Sequence, residues 1–145
     1  MALWFLLGFI LTEVFSATIH KYLMHGILWK IHKSHHVKTK GVFELNDVFT
    51  LLFGGTAVVL MLLGKSEFDY RFWIGSGISF YGIMYFVLHD MMIHKRMQGI
   101  KKPKNKYLKA IFEAHQAHHR SKEKNDAVSF GLFIIPKRFL NKQED

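Results

Sequence analysis

The ten histidines of this 145-residue chain form four short clusters, two with the spacing HxxHH and two with the spacing HxxxxH. Neutral imidazole is the commonest metal ligand, and a site for two metal ions needs many of them. The clustering therefore predicts metal chemistry. The clusters are His20 and His25; His32, His35 and His36; His89 and His94; and His115, His118 and His119.

The spacing within each cluster predicts how its rings are presented. At about 100° per residue, positions i, i+3 and i+4 of an α-helix share a face, so each HxxHH cluster can direct three imidazoles to one centre. Residues 107–120, which hold the last cluster, have the pattern of an amphipathic helix. Five residues correspond to about 140° of rotation, so an HxxxxH pair cannot share a face of a regular α-helix. Such a pair suits an unwound helix end, a π-bulge, or two ligands that approach neighbouring metals from different sides.

The chain contains no cysteine. This excludes disulfides, zinc fingers, and iron–sulfur clusters or haem groups held by thiolates. Any metal must therefore be held by nitrogen and oxygen. Three alternatives to a two-metal site remain: surface histidines on a basic face, an adventitious or storage site for zinc, copper or nickel, and haem held between two histidines. Adjacent pairs such as His35 and His36 fit the haem alternative poorly.

Three apolar stretches predict a membrane protein. Half of the residues are hydrophobic, and the stretches cover residues 2–19, 48–63 and 72–88. Each approaches the length that crosses a bilayer. We expect the first to be a retained anchor rather than a signal peptide, because no basic region follows Met1. A fourth apolar segment, 127–135, is too short to span; it could lie at the interface or plug the base of the bundle, and whether it enters the bilayer is left open.

The basic residues predict the orientation. The net charge is +9, and eighteen of the twenty lysines and arginines lie in residues 20–47 and 89–145, which three spans place on one side. The positive-inside rule assigns that side to the cytoplasm, and the apolar runs exclude a nucleic-acid binder. We therefore expect one all-α domain, 1–145, embedded in a membrane. Three helices would form a bundle, with a di-metal site in regions 20–47 and 89–136 facing the cytoplasm.

Polar residues within the spans are candidates for supporting roles. Glu13 precedes His20 by seven residues, about 10 Å along the same helix face. An ionisable residue inside a span is a functional candidate, here for supporting a ligand or relaying protons; a structural hydrogen bond between spans is the alternative. Tyr81, Tyr85 and His89 recur at four-residue intervals. The two tyrosines could line a channel for an apolar substrate or belong to ordinary helix packing.

Several motifs carry a family resemblance. They are HKYLMHG at 20–26, HKSHH at 32–36, FELND at 43–47, YGIMYFVLHD at 81–90, AHQAHH at 114–119 and VSFG at 128–131. In order and spacing they closely resemble those of the bacterial β-carotene hydroxylases, within the fatty acid hydroxylase and sterol desaturase superfamily of membrane non-haem di-iron oxygenases. The resemblance covers residues 13–136.

This resemblance implies two iron ions held by the ten histidines, with molecular oxygen as cosubstrate. It implies hydroxylation of carbon 3 on the β-ionone rings of β-carotene, giving zeaxanthin through cryptoxanthin. Asn46, Asp47 and Asp90 are candidates for fixing the orientation of the histidine rings, by proximity in sequence and by the family motif. A sister fatty acid or sterol hydroxylase, desaturase or carotenoid ketolase is the nearest alternative. A non-enzymatic metal transport or storage protein is more remote.

Oxygen activation consumes two electrons, yet the sequence contains no dinucleotide fingerprint, flavin motif or iron–sulfur ligands. A separate electron donor is therefore expected. The basic face favours an acidic ferredoxin, supplied by its reductase. Membrane topology and anionic lipid provide another explanation of the same charges. The carotenoid itself would come from the bilayer.

Overall fold

The computed structural model describes residues 1–37, 43–97 and 101–142. Residues 38–42 and 98–100, which belong to the predicted metal-binding regions, and residues 143–145 lie outside the described part. The regular elements of the described part are helices. They are α1 (Ala2–Ile19), α2 (Trp29–His36), α3 (Asp47–Gly64), α4 (Tyr70–Tyr85), α5 (Lys106–His118) and α6 (Lys137–Asn141), with π-helical segments His20–Ile27 after α1 and Phe86–Ile93 after α4.

Three of the described helices are long and apolar enough to cross a membrane: Ala2–Ile27, Asp47–Gly64 and Tyr70–Ile93. Large apolar side chains cover their outer surfaces; Leu3 is 71% and Leu51 75% exposed. Such surfaces suit lipid as the solvent, and a helix satisfies its backbone hydrogen bonds internally there. The all-α membrane bundle predicted from the sequence is confirmed.

Helix α4 is the centre of the bundle and packs against both α1 and α3. Glycines allow the close approach. A Cβ on Gly77 would overlap the Phe5 carbonyl in α1, and a Cβ on Gly75 would lie 2.7 Å from the Ala57 carbonyl oxygen in α3. Small residues of this kind are typical of membrane helix interfaces, where van der Waals contact drives association.

The π-helical segments extend α1 and α4 at the ends that carry histidines. Their backbone hydrogen bonds reach back five residues; the N–H of His94 donates to the carbonyl of His89 at 2.9 Å. This winding aligns residues five apart. The ring centroids of His20 and His25 are 5.2 Å apart, and those of His89 and His94 4.6 Å. The π-helical explanation of the HxxxxH pairs is therefore confirmed.

The C-terminal region closes the histidine end of the bundle. Asn105 caps the N-terminus of helix α5, and its side chain accepts hydrogen bonds from two N–H groups of the first turn. Ile111 of α5 packs in a core cluster with Tyr81 of α4 and Leu132. Residues 127–135 form no regular element and hold Leu132 buried. The segment therefore packs against the histidine end of the bundle.

Candidate metal centre

The imidazoles converge in two groups. Within each of the following groups, one ring nitrogen per residue lies within 4.8 Å of all the others: His20, His25, His32, His36 and His118; and His35, His89, His94 and His115. His119 joins the second group through its Nε2, which is 2.8 Å from Nε2 of His115. We call the five residues of the first group the first ligand set, and the second group with His119 the second ligand set. All ten predicted residues are thus brought together.

Both HxxHH clusters are divided between the two ligand sets. Helix α2 gives His32 and His36 to the first set and His35 to the second, whereas α5 gives His118 to the first. Residues four apart differ by only about 40° around a helix, but adjacent residues differ by about 100°. The expectation of three rings on one centre is corrected accordingly. Each short helix instead lies between two centres.

Acceptor oxygens orient seven of the rings through Nδ1. The acceptors are Phe130 O for His20 (2.8 Å), Lys124 O for His25 (3.0 Å), Ser121 O for His36 (2.9 Å), Val128 O for His118 (3.1 Å), Asn46 Oδ1 for His32 (2.7 Å), Glu44 Oε2 for His35 (3.0 Å) and Asp90 Oδ1 for His89 (2.7 Å). These oxygens accept hydrogen bonds, so each Nδ1 donates. In the neutral ring, Nε2 is then left with a free lone pair.

The Nε2 atoms nevertheless face one another closely. The separations are 2.9 Å for His20 and His32, 3.2 Å for His25 and His118, and 3.1 Å for His35 and His89. Two unprotonated nitrogens cannot hydrogen-bond, and their lone pairs repel unless a cation lies between them. The residues therefore fit metal ions, which coordinate such lone pairs.

The number of donors also limits which ions fit. The first ligand set offers five imidazoles whose ligand nitrogens lie within 4.8 Å of one another, more than a tetrahedral ion can use. The donor set therefore suits an ion that accepts more than four ligands.

The predicted supporting residues have different positions. Asn46 and Asp90 contact imidazoles directly, at His32 and His89. Asp47 accepts from the N–H of Glu44 and from the Arg96 guanidinium, at 2.9 and 2.8 Å. Asp47 thus belongs to a charged cluster beside the ligands, formed by Glu44, Asp47, Asp90 and Arg96.

Sequence reasoning missed two members of that cluster. Glu44, which accepts from His35, also pairs with Arg96 at 2.7 Å. The signal for Glu44 was present, because it lies within the FELND motif at 43–47. Arg96 follows the last π-helical turn and has no comparable motif.

Glu13 anchors the C-terminal segment rather than an imidazole. It is 4% exposed, and its carboxylate accepts from the Tyr81 hydroxyl at 2.7 Å. The same carboxylate accepts the backbone N–H groups of Leu132, Phe133 and Ile134 at 3.2, 2.8 and 2.6 Å. Phe130 and Val128, which precede these N–H groups in the same segment, supply the carbonyls that orient His20 and His118. The bond from Tyr81 of α4 to Glu13 of α1 matches the alternative interpretation of Glu13, a structural hydrogen bond between spans.

A cavity of about 540 Å³ opens beside the histidines, between α1, α3 and α4. The histidines lining it are His20, His32, His89 and His115. Apolar or small residues such as Phe49, Phe53, Ile78, Gly82 and Phe86 form much of the wall. Tyr81 and Tyr85 also line the cavity, and the Tyr85 hydroxyl is 3.1 Å from Nε2 of His89. The cavity therefore connects the membrane-spanning part to the ligand sets.

The imidazoles outside the spans are held neutral. Burial lowers the pKa of His36 and of His94 to about 4, and that of His32 to about 3. Hydrogen bonds to the Ser121 carbonyl and to Asn46 partly oppose this shift at His36 and His32, whereas Arg96 adds to it at His94. Removal from water disfavours the charged form. At neutral pH these rings are therefore ready to bind a metal without first losing a proton.

We expect the metal-free protein to lose stability as the pH falls below about 6.5. The unfolded histidines titrate near 6.5, whereas the folded pKa of His36 and His94 is about 4. Between these values the unfolded chain binds more protons, so the free energy of unfolding decreases as the pH falls. Thermal unfolding in detergent with a chelator, at pH 7.5 and 5.0, measures this; equal melting temperatures would contradict it. Metal occupancy should also decrease as the pH falls, because protons compete with the metal for the ligand nitrogens.

Comparisons with known proteins agree with this architecture. The fatty acid hydroxylase family model matches residues 5–138. The chain is 40% identical to β-carotene hydroxylase of Pseudescherichia vulneris over 132 residues, covering 91% of this chain and 75% of the relative. It is 40% identical to β-carotene hydroxylase of Pantoea ananas over 124 residues, 86% of this chain and 71% of the relative.

A plant relative is also similar. Chloroplastic β-carotene 3-hydroxylase 1 of Arabidopsis thaliana is 37% identical over 129 residues, covering 86% of this chain and 41% of the relative. No solved structure matches the chain significantly. Since the family model covers nearly the whole bundle, including all ten histidines, the chain belongs to the fatty acid hydroxylase family of enzymes.

Proposed function

We propose that this enzyme hydroxylates β-carotene at carbon 3 of its β-ionone rings, forming zeaxanthin through cryptoxanthin. The observation that carries the proposal is the apolar cavity between the spans, which ends at both ligand sets. β-Carotene is a hydrocarbon and partitions into the bilayer, so it can reach such a cavity without passing through water. The names of the bacterial and plant relatives support this substrate.

The shape of the apolar space suits a long substrate. A second cavity of about 430 Å³ adjoins the first, and Thr12, Phe53 and Ile78 line both. It lies between α1, α3 and α4, and no histidine lines it. One end ring would occupy the first cavity while the polyene extends along the second.

We infer that the bound metals are two iron ions and that the oxidant is molecular oxygen. The ten imidazoles, five in each ligand set, support iron over zinc, which prefers four ligands in structural sites. No side chain of a protein can oxidise an unactivated C–H bond. The iron pair, when bound, would supply the oxygen activation that this reaction requires.

The residues of the chain position the ring and exclude water. Phe49, Phe53 and Phe86 form an apolar wall that accommodates a hydrocarbon ring. The Tyr85 hydroxyl, beside His89, is a polar group at the reacting end. It can exchange a hydrogen bond with the new hydroxyl group on carbon 3, which would orient the product in the cavity.

Expression in bacteria that accumulate β-carotene tests the proposed function. Chromatography of extracted pigments should show cryptoxanthin and then zeaxanthin. Keto-carotenoids instead would indicate the ketolase alternative. Unchanged β-carotene with hydroxylated or desaturated fatty acids or sterols would indicate a sister enzyme. Unchanged pigments and lipids, in a membrane that contains the metal-loaded protein, would favour the non-enzymatic alternative.

We propose that the ligand sets face the cytoplasm of a bacterial inner membrane and that an acidic ferredoxin, reduced by its reductase, delivers the electrons. Exposed lysines near the ligand sets support both the cytoplasmic orientation and the docking of an acidic protein. Lys30 and Lys33 project from α2, and Lys122 and Lys124 from the loop after α5. The carbonyl of Lys124 orients His25, so this basic surface directly covers the first ligand set.

Turnover with limiting reduced ferredoxin should fall several-fold when ionic strength rises from about 0.05 M to about 0.3 M, because salt screens the attraction between opposite charges. The measurement is zeaxanthin formation in liposomes of neutral lipid, which removes the contribution of anionic lipid. Saturating ferredoxin is the control and should be nearly insensitive to salt. Salt-independent turnover at limiting ferredoxin would contradict an electrostatic encounter.

A further inference from the structure

The two ligand sets differ in the charge of the groups that orient them. In the first set, four rings donate to backbone carbonyls and His32 donates to the amide oxygen of Asn46. All five acceptors are uncharged. In the second set, His35 donates to Glu44 at 3.0 Å and His89 donates to Asp90 at 2.7 Å. Here the acceptors are carboxylates.

The carboxylates belong to a half-buried charged cluster that is negative overall. Arg96 pairs with Glu44 at 2.7 Å and with Asp47 at 2.8 Å, and lies 3.9 Å from Asp90. Side chains in the cluster are 11–24% exposed, so water screens them only partly. One guanidinium balances one of three carboxylates. The cluster thus leaves negative charge beside the second set.

We propose that the two metal ions are inequivalent, with the second ligand set binding its ion more tightly and filling first. A carboxylate that accepts from a ligand imidazole makes that imidazole a stronger base and a better ligand. The negative charge of the cluster adds direct attraction for a cation. The first set has five imidazoles but lacks both effects, so it fills second. This inference rests on the di-metal centre of the proposed function.

Titration of the metal-free full-length protein with Co²⁺ in detergent tests the proposal, with bound metal measured by elemental analysis after each addition. Two classes of one ion each are expected, separated by at least about tenfold in affinity. His115→Ala should remove the tighter class and His118→Ala the weaker one. This pair assigns each class to its ligand set.

Matched carboxylate and amide exchanges then isolate charge from shape. Glu44→Gln and Asp90→Asn should each weaken the tighter class by about 10–100-fold and leave the weaker class unchanged. Asn46→Asp makes the reverse exchange beside His32 in the first set. It should strengthen the weaker class, a gain that damage to the fold cannot produce.

Several outcomes would overturn the inference. These are equal affinities in the wild type, equal weakening of both classes by Glu44→Gln and Asp90→Asn, or an unchanged weaker class in Asn46→Asp. Equal affinities combined with normal zeaxanthin formation would overturn the inequivalence alone. Two distinct classes without any zeaxanthin would instead overturn the proposed function and leave the inequivalence intact.

Discussion

Replacement of His118 by alanine is expected to abolish zeaxanthin formation, with a loss of at least about 100-fold. His118 is fully buried, and its Nε2 lies 3.2 Å from that of His25 and 3.1 Å from that of His36. Removal of a group behind a ligand costs about 10–100-fold in affinity or activity, so removal of a ligand should cost at least the upper value. The measurements are pigment analysis in β-carotene-producing cells and metal content of the purified variant, which should fall by about one ion per chain.

Gln116→Ala is the matched control, because Gln116 lies on the same helix, two residues away, and is exposed. This variant should keep both its metal content and its product yield. Full activity in His118→Ala would contradict the first ligand set as a metal site. Equal losses in both variants would point to disruption of α5 instead.

Replacement of Gly82 by phenylalanine should reduce β-carotene hydroxylation at least about tenfold while metal content stays unchanged. Gly82 lines the cavity, and a Cβ at this position meets no heavy atom within 4 Å. A phenyl ring can therefore fill space intended for substrate without pushing neighbouring backbone aside. The expected factor corresponds to about 1.4 kcal/mol of lost transition-state binding. Pigment yield and metal content are measured on the same preparation.

Gly55→Phe provides the control for Gly82→Phe. Its Cβ also meets nothing within 4 Å, and Gly55 is an exposed residue of α3 that is absent from the cavity lining. It tests the effect of a large side chain on a membrane helix without filling the cavity. Unchanged hydroxylation in Gly82→Phe would show that substrate uses another route.

The bundle was the most predictable part of the structure. Hydropathy predicts an apolar stretch at residues 2–19, and the helix in this region begins at Ala2 and continues through α1 and its π-helical extension to Ile27. A bilayer imposes a minimum length and forces backbone hydrogen bonds into helices, so few alternatives exist. The spacing of the HxxxxH pairs also restricted the possible backbone geometry at the ends of the spans. Two rings five residues apart converge in a π-helical turn, and both pairs adopt one.

The division of the ligands was not predictable from spacing. His35 and His36 belong to different sets although they are adjacent, because the site lies on both sides of α2. Which side each ring faces depends on how α2 and α5 pack, and periodicity describes only one helix at a time. The backbone carbonyls that accept from the histidines were equally unpredictable from the sequence. Any residue has a carbonyl, so nothing at Ser121 or Lys124 marks it as a partner of a histidine.

Glu13 shows why a buried charge is hard to interpret from a sequence. Its position in a span predicts a functional or structural role but does not distinguish the two. A carboxylate there can support a metal ligand or accept hydrogen bonds from backbone N–H groups. The decisive partners are Leu132, Phe133 and Ile134, about 120 residues later in the chain. Contacts of that separation leave no local pattern. Only the tertiary structure distinguishes the two roles.

The order in which the ligands are synthesised has a consequence for biogenesis. Both ligand sets need residues of α5, whereas α1, α3 and α4 precede it along the chain. Neither set is complete until the ribosome has released residue 118 or 119, by which time the spans can already have entered the bilayer. Any metal that fills a ligand set is therefore bound only after α5 has been synthesised, and metal-depleted cells should accumulate inserted apoprotein, which metal analysis of purified membranes would measure.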